Sequence, residues 1–171
     1  MEDLIIKAKN GDKLAFTELM LQIKDELYKI AKIRLKNDDD VFDAIQETML
    51  SAYKSLRKLK HNKYFKTWII KILINQCNKI YRLQKHHPED SYEIIGNTLT
   101  SQDRTEEIIN FKFICDNLSK EDGTIILLYY MEKYTDKEIG KILNMKESTI
   151  KTKRNRIKHK IKNFYEDYER S

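Results

Sequence analysis

From Asn144 to Asn163 the chain carries eight Lys or Arg against one Glu, a local net charge of +7. The segment Ser148-Thr-Ile-Lys-Thr-Lys-Arg-Asn-Arg-Ile-Lys-His-Lys-Ile-Lys162 reads as a helix. Its apolar seam is thin, with Ile150, Ile157 and Ile161 at i, i+7 and i+11. Cations in this density neutralise phosphates, while Asn, Thr and Arg side chains can hydrogen-bond base edges. Phase along the helix puts Lys151, Thr152, Arg154 and Asn155 early, where base edges are reached. Lys153, Arg156, Lys158 and Lys160 fall to the phosphates, and Lys153 and Arg154 can exchange roles. A plain solvated helix is the competing reading of any such charge run.

Two further groups stand upstream. Asp43, Gln46 and Glu47 share one helical face, opposite Ile45, Met49 and Ala52. Two carboxylates one turn apart could serve as a general acid and base, but no nucleophile, His or metal set accompanies them in sequence. An acceptor face for a basic protein partner is the better reading. Tyr64, Phe65 and Trp68 lie among Lys63, Lys66 and Lys71, and Asn75, Lys79 and Arg82 continue one face at i, i+4 and i+7. Aromatic rings among cations suit unpaired bases and their backbone. Trp68 is in phase with Ile72 and reads as core, which leaves Tyr64 as the ring for stacking.

Helices must position these groups. Residues 3–9 and 12–35 read as two, split by Asn10-Gly11-Asp12, with Leu14, Ala15, Phe16, Leu19, Met20, Ile23, Leu27, Ile30 and Ala31 at helical spacing in the second. Asn37-Asp-Asp-Asp40 starts a third helix, about 40–58, expected to bury Phe42, Ile45, Met49, Ala52, Tyr53 and Leu56. A fourth runs from about Tyr64 to Lys85. Near the C-terminus, Ser119-Lys-Glu-Asp122 caps a helix with Ile125, Ile126, Leu128, Tyr129 and Met131, expected to pack under the last two helices of the chain. Thr135-Asp-Lys-Glu138 is a capping box, Ile139, Ile142 and Leu143 give the next helix an apolar face, and Asn144 suits a left-handed terminator. Gly140 allows another helix to cross closely. Helix, tight turn and basic helix together make a helix-turn-helix, whose second helix enters the major groove.

The whole chain of 171 residues has 33 Lys and Arg, 27 Asp and Glu, a net charge of +6 and a pI near 9.1. Four Gly, one Pro and the absence of two-residue alternation predict an all-α fold. Residues 86–107 hold six Asp or Glu, one Arg and the sole proline, Pro88. They divide the chain into helical domains at 1–85 and 105–171, joined by a flexible acidic linker at 86–104. His86 and His87 lack further ligands at metal spacing, and Cys77 and Cys115 are lone thiols suited to a reducing compartment. Neither metal nor cofactor is expected. With no signal peptide or bilayer-length apolar run, a cytoplasmic protein without membrane association is expected.

Three segments carry a resemblance. Asp43-Ala-Ile-Gln-Glu-Thr48, then Phe65-Lys-Thr-Trp-Ile-Ile-Lys-Ile-Leu-Ile-Asn75, then Ser148-Thr-Ile-Lys-Thr-Lys153 resemble, in that order, motifs of the extracytoplasmic-function sigma factors of bacterial RNA polymerase. The resemblance implies that Asp43, Gln46 and Glu47 meet the polymerase core, with its β′ and β subunits as partners. It implies that Lys63, Tyr64, Lys71, Asn75, Lys79 and Arg82 hold the melted −10 element, with the loop Leu59 to Asn62 pocketing a flipped base. Lys151 to Arg156 and Lys158 would then read the −35 element, and an anti-sigma factor is a further partner of such proteins. Lys146 stands where the family usually has a Ser cap, so the cap is expected at Glu147 or Ser148. Arg154 replaces a common aliphatic residue, and Asn78 a common Asp. The function implied is promoter recognition and strand opening without covalent chemistry. The alternative is a free-standing helix-turn-helix regulator; a protein-interaction module without a DNA role leaves the basic helix unexplained.

Overall fold

Polar caps rather than prolines set the helix boundaries. Asp12 accepts a hydrogen bond from the Ala15 amide at 3.0 Å, and Asn37 from the amides of Asp39 and Asp40 at 2.7 and 3.2 Å. Ser119 accepts from Asp122 N at 3.1 Å. Each satisfies amides that the first helical turn leaves open. The computed structural model describes residues 1–86 and 117–169, with side chains for 1–83 and 117–163. The proposed linker, except for the His86 backbone, and residues 105–116 with Cys115, lie outside the described residues.

The chain forms two compact units, Met1–Ile94 and Ile95–Ser171, and no strand occurs among the described residues. The fold is all-α. The first unit holds α1 (Glu2–Lys9), α2 (Lys13–Arg34), α3 (Asp38–Ser55) and α4 (Phe65–His86), with single 3-10 turns at Leu56–Lys58 and Asn62–Tyr64. Gly11, at φ +99°, turns the chain between α1 and α2, a conformation that L side chains rarely adopt. Helices α2 and α4 pack together, and Leu19, Ile23, Leu27 and Ile30 of α2 and Ile69, Ile70 and Leu73 of α4 are all fully buried. Each such side chain contributes about 1.5–3 kcal/mol of burial.

The α3 face is rotated from the one expected. Val41, Ala44, Thr48 and Ala52 line its buried side, whereas Phe42 and Tyr53 are 53% and 45% exposed, and Ile45 and Met49 are only half-buried. Small residues at i, i+3, i+7 and i+11 let α3 wedge between α2 and α4, and the larger apolar side chains are left at the rim. Leu14, counted in the apolar spacing of the second helix, is 82% exposed on the first turn of α2.

The second unit holds α5 (Lys120–Ile126), which runs into a π-helical turn at Leu127–Met131, then α6 (Asp136–Leu143) and α7 (Glu147–Glu169). Ile125 to Leu128, Ile139, Ile142, Ile150 and Ile157 form its core. Met131, expected to pack inside, is exposed, because the wider turn rotates it out of phase with Leu128.

Candidate nucleic-acid interface

The capping box closes as its sequence requires. The Thr135 hydroxyl accepts from Glu138 N at 3.3 Å, and Glu138 Oε2 accepts from Thr135 N at 2.9 Å. The Thr135 backbone N–H, and after it the Thr135 hydroxyl donating to Glu138 Oε2 at 2.7 Å, hold the Glu138 carboxyl below its ordinary range. Asn144 ends α6 at φ 57° and ψ 45°, and Met145 N donates to the Gly140 carbonyl at 2.8 Å. A Cβ on Gly140 would sit 2.7 Å from the Met145 carbonyl oxygen. Glycine is therefore required by the backbone of the turn, and the first residue of the next helix also comes close, with Glu147 N 3.5 Å from such a Cβ. The α7 cap remains at Lys146, whose carbonyl accepts from Thr149 and Ile150 at 3.0 and 3.1 Å; the expected shift to Glu147 or Ser148 does not occur.

Arg154, expected to reach base edges, is held by partners inside its own unit. Its Nε and Nη2 donate to Asp136 Oδ1 and Oδ2, both at 3.0 Å, and its guanidinium lies 4.1 Å from the centre of the Tyr129 ring. The Asp136 hydrogen bonds raise its pKa further above the ordinary value. Ile150, Arg154, Ile157 and Ile161 follow one another at helical spacing, so Arg154 occupies the inward seam rather than the outer face. Lys153 turns the same way, to Glu121 at 2.6 Å and Asp122 at 3.9 Å, and Arg156 Nη2 stands 3.5 Å from Asp122. Sequence reasoning missed this acidic cradle of Glu121, Asp122 and Asp136, although the seam spacing of Arg154 was a legible signal. Lys151, Thr152, Asn155, Lys158 and Lys160 are exposed along α7. Thr152 Oγ1 also donates to the Ser148 carbonyl at 2.9 Å.

In the first unit, Lys71, Asn75, Lys79 and Arg82 all stand exposed along α4. Tyr64 is exposed at its head, with the Lys63 ammonium 5.1 Å from the ring centre. Trp68 is half-buried, 6.0 Å from the Phe65 ring. Lys66, expected among the phosphate-holding cations, instead pairs with the buried Glu26 at 3.2 Å. Asn78 accepts from Arg34 Nη2 at 2.7 Å, joining α2 to α4. On α3, Asp43, Gln46 and Glu47 are exposed together, flanked by Phe42 and Leu50, which sequence reasoning had not placed on this face.

Against known proteins, residues 19–87 match the family model for sigma-70 region 2, and residues 115–161 that for sigma-70 region 4. The chain belongs to the sigma-70 family. It is a sigma factor of the extracytoplasmic-function type, binding RNA polymerase core and promoter DNA; such proteins are generally regulators of the polymerase without catalysis of their own. It is 25% identical over 147 residues to the ECF RNA polymerase sigma factor SigM of Mycobacterium tuberculosis, covering 84% of this chain and 73% of that one. To SigW of Bacillus subtilis it is 27% identical over 181 residues, covering 95% of each. Among solved structures the fold is similar to CnrH in complex with the cytosolic domain of CnrY, with a TM-score of 0.73, 17% identity and 97% of each chain covered. It is also similar to the sigma factor RpoE of Bartonella quintana in complex with the anti-sigma factor NepR, with a TM-score of 0.72, 18% identity, and 88% of this chain and 96% of that one covered. Among the described residues no helix of this sigma factor is long and apolar enough to cross a membrane, and no cluster of His, Cys, Asp or Glu could hold a metal ion.

Proposed function

We propose that residues 1–85 dock on core polymerase and hold the melted −10 element, while residues 105–171 read the −35 element. Asp43, Gln46 and Glu47 supply acceptors to a basic surface of the core, with Phe42 and Leu50 adding apolar area at their flanks. Binding then fixes α4 at the −10 element, where Lys63, Lys71, Lys79 and Arg82 hold the backbone of the separated strand, Tyr64 stacks a base and Asn75 contacts a base edge. The loop Leu59 to Asn62 receives a flipped base. On α7, Lys151, Thr152 and Asn155 face base edges and Lys158 meets phosphate. Lys153, Arg154 and Arg156 set the helix on its acidic cradle and reach DNA only through that placement.

The observation that supports this reading is the exposed polar row of α4, headed by Tyr64, inside a region 2 match. A free-standing helix-turn-helix regulator has no use for it. The protein works without covalent chemistry, in the cytoplasm beside the polymerase. By analogy with RpoE, solved in complex with the anti-sigma factor NepR, an anti-sigma factor is a further partner. The test is run-off transcription from genomic fragments with purified core enzyme. Wild-type protein should direct specific starts, and Asp43→Lys or Glu47→Lys should abolish them by placing like charge against a basic surface. Undiminished starts by both variants would remove α3 from the interface.

A further inference from the structure

The C-terminal end of α1 and the loop after α3 are tied together by three hydrogen bonds, two in one direction and one in the other. The Lys9 ammonium donates to the Leu59 carbonyl at 2.5 Å and to Asn62 Oδ1 at 2.6 Å. In return Arg57 Nε donates to the Lys9 carbonyl at 3.0 Å, packing beside the Gly11 turn. Leu59 is buried and Asn62 half-buried, whereas Lys60 and His61 between them are exposed. His61 sits edge-on to Tyr64, with ring centres 6.0 Å apart. One ammonium, about fifty residues upstream in sequence, therefore holds both ends of the exposed Lys60-His61 tip. A short loop without such a tie samples many conformations, and a contact made from it carries that ordering cost.

We propose that Lys9 is a positioning residue for −10 recognition: by bridging Leu59 and Asn62 it presets the Lys60-His61 tip and so sharpens base discrimination there. This rests on the proposal that the loop receives a promoter base. Lys9 touches no DNA in this arrangement. Its effect is confined to one promoter element, because α7 lies in the other unit.

The test uses full-length protein with purified core polymerase on a pool of duplex templates randomised over a promoter-length window, with sequencing of the templates transcribed. Wild-type protein should enrich two elements. Lys9→Met, which keeps an apolar stem but removes the donors, should flatten preference at the −10 element by about tenfold while leaving the −35 preference sharp. Lys9→Arg should restore most of it, since a guanidinium can still bridge two acceptors. Asn62→Ala should lose part of the −10 preference, and should change nothing further in the Lys9→Met background. A Lys9→Met profile identical to wild type overturns the inference, as does equal loss at both elements, which would mean general destabilisation. Enrichment of no −10 element by the wild type, with core bound, would overturn the loop reading itself and the inference with it.

Discussion

Arg154 and Asp136 face each other across the helix-turn-helix with two parallel hydrogen bonds of 3.0 Å, and each side chain is only 15% exposed. The pair joins the first turn of α6 to the second turn of α7, and Tyr129 closes the guanidinium from the other side. A recognition helix must keep a fixed angle to the helix before it. In this unit a planar, bidentate ion pair sets that angle, and an aliphatic contact at the same seam position would not fix direction in this way.

Arg154→Ala should therefore destabilise the second unit by about 2 kcal/mol, leaving Asp136 without its main partner. Asp136→Ala should cost a similar amount, and the double variant should cost less than the sum. Chemical denaturation of the four proteins gives this coupling. On DNA, Arg154→Ala should weaken all −35 sequences alike; selective relaxation at one base position would restore the base-reading role.

Duplex binding should be carried by the outward cations. Lys158→Ala should lower affinity on every sequence and reduce the log–log salt slope by about 1, and Lys151→Ala should do so with added loss of base preference. Titrations across a salt series measure both. A slope unchanged by Lys158→Ala would remove that residue from the phosphate contacts.

The capping box predicts a pH dependence. Glu138 has its folded carboxyl pKa depressed below the ordinary 4.5 by bonds from Thr135. A group depressed in the fold stabilises it above the unfolded value and loses that contribution as pH falls through the lower folded value. Glu138→Gln should therefore flatten the acid side of the stability profile below the ordinary carboxylate range. Thr135→Ala should cost about 1 kcal/mol at neutral pH. Thermal unfolding across a pH series, followed by circular dichroism, would show whether the acid limb of the Glu138→Gln profile is unchanged, which would refute the assignment.

Strand opening should depend on α4. Asn75→Ala with Lys79→Ala should leave duplex promoter binding by the holoenzyme nearly intact but block melting, each lost contact removing about 1–3 kcal/mol from a near-balanced step. Permanganate reactivity of unpaired thymines reports the opening, and a premelted template should restore transcription. Normal melting by the double variant would move the single-strand contacts elsewhere on the protein.

Local rules in the sequence determined the elements and most of the caps that start them. Asp12, Asn37, Ser119 and Thr135 cap within three residues of themselves, and Asn144 takes the left-handed conformation its short amide allows. Such bonds span one helical turn, so side-chain type and spacing are enough to predict them. The three sigma-factor motifs were legible for the same reason, being short and contiguous. Tertiary structure decided which side of each helix faces inward. Sequence periodicity weighs Phe42 and Tyr53 as core because they are large. Packing kept Ala52 but added Val41, Ala44 and Thr48, because two neighbouring helices compete for the space and small side chains let both approach. It likewise brought Lys153 and Arg154 to Glu121, Asp122 and Asp136, and Lys9 to Leu59 and Asn62. Those partners lie from 18 to 53 residues apart for Arg154–Asp136 and Lys9–Asn62, and no spacing rule couples positions across such separations. Only the fold brings them within hydrogen-bond reach.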